Sequence, residues 1–135
     1  MISFFTVDKN KDVQSQFNNW ITQIIQTREP ESSIIAFNFG IVQSSKGYKI
    51  YFAGFKNYSQ ENDDWAVGSG DYSSEPKYFD LVGKEFKNIE WKMVQENVVK
   101  ILNTFITTED FKNSFLNHAK AITTGFDDGD LIRIK

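Results

Sequence analysis

The stretch that decides the fold runs from Ser33 to Phe55, SIIAFNFGIVQSSKGYKIYFAGF. Up to Val42 it keeps a period of two. Ile35, Phe37, Phe39 and Ile41 fall on one face, with Ile34, Ala36 and Asn38 on the other, which is the alternation of a pleated strand. Gln43-Ser44-Ser45-Lys46-Gly47 then reads as a turn, and Tyr48 to Phe55 alternates again, Tyr48, Ile50 and Phe52 opposing Lys49, Tyr51 and Phe55. Two such runs joined by a short Gly-containing turn predict an antiparallel β-hairpin.

Upstream, Val13, Phe17, Trp20, Ile21, Ile24 and Ile25 draw one helical stripe. Asn10 or Asp12 can cap its start, and Glu29-Pro30 ends it. Downstream, Lys56 to Gly83 is less regular. Trp65-Ala66-Val67 reads as a short third strand and Tyr78 to Leu81 as another, with loop around them and Pro30 and Pro76 both at boundaries. A second helix takes Trp91, Val94, Val98, Ile101, Leu102 and Phe105 on one face. A third opens at the capping-box-like Thr107-Thr108-Glu109-Asp110 and continues through Phe111, Phe115, Leu116 and Ala119. Leu131 to Ile134 alternates as a last strand. The order predicts an α+β fold: a mainly antiparallel sheet with a central β-hairpin and helices packed on one face.

At 135 residues, 1–135 form a single domain long enough to bury a core. The material is present, with 40% hydrophobic residues and 13 phenylalanines. The absence of cysteine excludes a disulfide framework, a thiolate nucleophile and a Cys-based zinc site. It also suits a cytoplasmic protein. The start, Met1 to Asp8, lacks a basic region and a long apolar run, so neither signal peptide nor membrane span is expected. Net charge is −3 and the basic residues are scattered, which argues against a nucleic-acid partner and for a basic or neutral one.

Asp127-Asp128-Gly129-Asp130 resembles a calcium loop at a glance, but the EF-hand spacing fails and only five residues follow. The sole histidine, His118, reads as a half-buried structural residue of the third helix. No nucleophile elbow accompanies it. A carboxylate pair such as Asp64 with Asp128 could do glycosidase-type work, although solvated loop acids are far more common. Gly68-Ser69-Gly70 lacks the continuation of a phosphate loop. No cofactor is expected.

A surface argument remains. Between Tyr58 and Asp80, Glu61, Asp63, Asp64, Asp71, Glu75 and Asp80 face Lys77 alone, interleaved with Tyr58, Trp65, Tyr72, Tyr78 and Phe79. Aromatic groups inside an acidic rim suit a protein interface with a basic partner. The competing reading is an aromatic loop folded back over its own core. GFDDGDLIRIK, Gly125 to Lys135, adds three more acids. It reads as a turn with Phe126 toward the core and Gly129 free to take positive φ. In the strand that follows, Leu131 and Arg133 share one face, Ile132 and Ile134 the other.

The hairpin IIAFNFGIVQSSKGYKIYFAGF, the following ENDDWAV and the closing GFDDGDLIRIK together resemble the small immunity proteins of bacterial polymorphic-toxin and contact-dependent growth inhibition systems. The likeness spans roughly Ile34 to Lys135. It implies a non-catalytic cytoplasmic antitoxin that binds the C-terminal domain of a cognate toxin and masks its active site, with neither nucleic acid nor membrane as partner. It offers Asp63, Asp64, Trp65, Asp127, Asp128 and Asp130 as toxin-binding residues. Many such toxins are nucleases with basic grooves. The modest net charge here departs from the strongly acidic nuclease inhibitors and leaves other toxin activities open. The alternative reading is a small enzyme using acidic loop residues, with or without a metal.

Overall fold

The computed structural model describes residues 12–45, 47–67 and 70–135. Met1 to Asp8, Asn10, Lys46, Gly68 and Ser69 fall outside the described residues, as do the side chains of Ser74, Glu75 and Pro76. The Asp12 carboxylate accepts from the backbone N–H groups of Gln14 and Ser15 and caps helix α1 (Val13–Thr27). The stripe expected from the sequence is the one that α1 buries, through Phe17, Trp20, Ile21 and Ile24. Helix α2 (Trp91–Phe105) buries Val94, Val98, Ile101, Leu102 and Phe105. Gln14 Nε2 donates to the carbonyl of Ile101 at 3.0 Å and ties the two helices together.

The two alternating runs pair as read. Strands β1 (Ala36–Ser44) and β2 (Gly47–Phe55) are antiparallel, in the register Phe39↔Phe52 and Gly40↔Tyr51. They lie within a five-stranded sheet that adds β3 (Tyr72–Leu81), β4 (Ala121–Phe126) and β5 (Ile132–Arg133), in the order β3-β2-β1-β4-β5. Three of the four pairings are antiparallel, and β1 with β4 is parallel. The fold is α+β.

One face of this sheet carries Phe37, Phe39, Ile41, Ile50, Phe52, Phe79 and Ile122, in a single buried cluster with the apolar stripes of α1 and α2. Phe17 sits among Phe39, Phe79 and Phe105 at ring separations of 5.8, 5.7 and 5.9 Å. Tilted and edge-on contacts of this kind add to the burial of the rings themselves.

Four local expectations are corrected. Trp65 and its neighbours form a turn of 3-10 helix (Asp64–Ala66), because Asn62 Oδ1 accepts from the N–H of Asp64 and closes the chain into a tight bend. Tyr78 to Leu81 belongs to a ten-residue strand, so the preceding residues are not loop. Pro76 therefore lies inside an element. The sheet tolerates it because β3 is an edge strand whose register with β2 shifts between Tyr51 and Ala53. The third helix is not continuous: α3 (Glu109–Lys112) is capped by Thr108 and stops at Asn113. There the Ser114 hydroxyl donates to the carbonyl of Phe111 and accepts from the N–H of Leu116, diverting the backbone into a 3-10 turn over Phe115–His118.

Candidate functional site

The second face of the sheet is built differently. Asn38 and Gly40 of β1 point to it, flanked by Tyr51 of β2 and by Thr123 and Gly125 of β4. Gly40 is there because nothing larger fits: a Cβ at this position would overlap the Tyr51 ring. With Gly125 beside Gly40 in register, the tyrosine crosses β1 over a trough of two glycines. Its hydroxyl donates to Asp127 Oδ1 at 2.5 Å, in the turn after β4. Tyr51 is only 7% exposed. Burial, followed by the hydrogen bond to and the charge of Asp127, pushes its phenol well above the ordinary value of 10.0.

The loop after β2 folds back over the same face. Trp65 is half-buried and packs edge-on against Phe55 and Tyr58 at 5.4 and 5.1 Å. Asp63 Oδ2 accepts from the N–H of Leu131 at 3.0 Å, which fastens this loop to the segment leading into β5. Two loops far apart in sequence are thus joined side by side, one through Asp63 and the other through Asp127.

Between them lies a cleft of about 390 Å³. Asp63, Asp64, Ala66 and Val67 form one wall, Phe126, Asp127, Gly129 and Leu131 the other, and Asn38 enters from β1. Three of the six site residues expected from the sequence, Asp63, Asp64 and Asp127, therefore line one cavity. Trp65 stands next to them but turns inward, covering Phe55. Asp128 and Asp130 are exposed on the same turn without lining the cleft, so the glycosidase-like pair of Asp64 and Asp128 does not face one cavity.

Sequence reasoning missed Asn38 and Tyr51. The signal for Asn38 was a polar residue amid an apolar strand. It is 2% exposed, and its Oδ1 accepts from the Thr123 hydroxyl at 2.9 Å. Gly129 was expected to exploit positive φ, yet among the described residues that conformation belongs to other positions. Gly129 instead closes the turn by donating its N–H to the carbonyl of Phe126. Phe126 packs against the main core as expected. Ile134 does likewise, while Leu131 lines the cleft on the other side.

The electrostatics are one-sided. Among the described residues the ion pairs are Lys49 with Asp80 and Lys112 with Glu109, and neither involves the cleft. The nearby Arg133 lies over the Tyr58 ring at 5.6 Å and donates to the main-chain carbonyls of Lys135 and Lys120. The arrangement offers hydrogen-bond acceptors and negative charge to a cationic donor. No group of three or more His, Asp or Glu side chains among the described residues is placed to hold a metal ion. His118 is exposed, not half-buried, because the break after α3 turns it outward. It borders a separate cavity with Glu29 and Glu31. Among the described residues no helix is long and apolar enough to cross a membrane. In comparisons with known proteins, no family model matches the chain, and neither a curated protein nor a solved structure is significantly similar to it.

Proposed function

We propose that this protein is a binding module, a cytoplasmic immunity protein that neutralises a cognate toxin domain by covering its active site. The observation that supports this reading is the convergence of Asp63, Asp64 and Asp127 on one cleft without a cationic partner among the described residues. Carboxylates left uncompensated at a surface steer a basic protein toward them and set the orientation in which it docks. The sheet beneath supplies rigidity. Asp127 is held by Tyr51 and Asp63 by the backbone of Leu131, so both acids are positioned before a partner arrives.

The test is co-expression with the toxic C-terminal domain encoded immediately upstream of this gene. The expected result is restored growth and an equimolar complex whose association slows as salt is raised. Absence of such a toxin gene, or growth arrest that persists with no complex formed, sinks the reading. The paired variant Asp127→Asn, Asp128→Asn separates the two sides of the turn. Asp127 lines the cleft and Asp128 does not, so restoring Asp128 alone should leave association slow.

A further inference from the structure

We infer that the cleft is a socket for one guanidinium group, carried by an arginine of the partner protein. The inference names the partner group for the surface proposed above and so rests on that reading. Three observations on separate elements carry it. Asp63 and Asp127 each spend one carboxylate oxygen on a neutral donor, the Leu131 N–H and the Tyr51 hydroxyl, and keep the other oxygen for a ligand. Asp64 lines the same cavity, with no ion pair to it among the described residues. Asn38, almost wholly buried, lines the cleft with a carboxamide of which only the oxygen is engaged, by Thr123.

Asn38 decides what kind of group enters. The amide nitrogen of this side chain has no acceptor among the described residues and is open to a group that enters the cleft. The Thr123 hydroxyl either donates or accepts, so the carboxamide of Asn38 can turn over and keep its bond to Thr123. Turned, it presents a carbonyl. Every polar side chain facing the cleft is then an acceptor. A planar group with five donors matches acceptors arranged on opposite walls, and it sheds its hydration more readily than an ammonium. Leu131 and Val67 give the aliphatic stem of the arginine an apolar lining.

The test needs no toxin. The folded protein is titrated with N-acetyl-arginine N-methylamide, with its uncharged citrulline isostere, and with agmatine as a free guanidinium compound, while backbone and side-chain amide spectra are followed by NMR. The arginine derivative should shift the Asn38 side-chain amide together with Asp64 and Leu131, and the citrulline compound should not. The variant Asp64→Asn, Asp127→Asn should weaken binding by roughly tenfold, since the new amide oxygen at the second position can still accept from Tyr51 and the fold is kept. No shift at Asn38, or equal shifts from citrulline, overturns the socket even if a toxin complex forms. Tighter binding of agmatine than of the arginine derivative overturns the protein source of the group. A failure of the immunity reading appears separately, in the growth assay.

Discussion

The hydroxyl of Tyr51 and Oδ1 of Asp127 lie 2.5 Å apart although 76 residues separate them, so the middle of β2 is bonded directly to the turn after β4. The donor is a phenol whose ionisation the fold opposes, first by burial and then by the hydrogen bond to and the charge of Asp127. The folded pKa is above the ordinary 10.0, so the contribution is whole below that pH and is lost as pH rises beyond it. Urea unfolding should show the wild-type protein weakening between about pH 9 and about pH 11 by more than Tyr51→Phe does. Parallel slopes for the two proteins would mean the hydrogen bond carries no such linkage.

Gly40 owes its identity to the same tyrosine. Gly40→Ala drives a methyl group into the Tyr51 ring and should cost about 1–3 kcal/mol by overpacking. In the background Tyr51→Ala the same methyl has room. The two changes should therefore be strongly non-additive in a double-mutant cycle measured by urea unfolding.

Phe39 stands at the junction of the aromatic core, 4.9 Å from Phe52 across the hairpin and 5.8 Å from Phe17 of α1. Phe39→Ala should cost about 3–5 kcal/mol. A loss below about 1 kcal/mol in the urea midpoint analysis would contradict the packing described.

Asp12 tests the start of α1. Its carboxyl is held below the ordinary 3.8, first by the Ser15 hydroxyl and then by the N–H of Gln14. A depressed value stabilises the fold above the unfolded pKa, and the benefit disappears as pH falls through the folded one. Asp12→Ala should cost about 1 kcal/mol at neutral pH and progressively less below about pH 4. Chemical denaturation at the two pH values reads the difference.

The sequence showed those parts whose apolar residues recur with a regular period. Helices α1 and α2 each bury one such stripe, and the hairpin keeps a period of two in its large apolar residues although both of its faces are largely buried. Strand β4 was harder. Its residues Ala121 to Gly125 are all buried, but AITTGF has no period-two run of large apolar residues to mark it. Its polar members Thr123 and Thr124 are satisfied by Asn38 and by the carbonyl of Phe39, partners 85 residues away. Local pattern carries no trace of such distant bonds. The candidate site divides along the same line. Loop acids are visible as composition, and Asp63, Asp64 and Asp127 line one cleft. Tyr51, which places Asp127, looked like an ordinary strand position, and Asp63 is held by a main-chain N–H of Leu131 that no side-chain pattern marks. Trp65 covers Phe55, as expected of a loop folded back over its own core, and stands beside the cleft without lining it.

The parallel pairing of β1 with β4 also fixes when the chain can fold as it is synthesised. β1 lies between β2 and β4, so its second edge stays open until residues 121–126 have left the ribosome. A nascent chain that has already made the hairpin and α2 still displays the unpaired main-chain groups of an apolar strand, the configuration most prone to join another chain. Long-range closure of this kind is slow. During that interval the open edge of β1 is the place where another chain or a chaperone can pair.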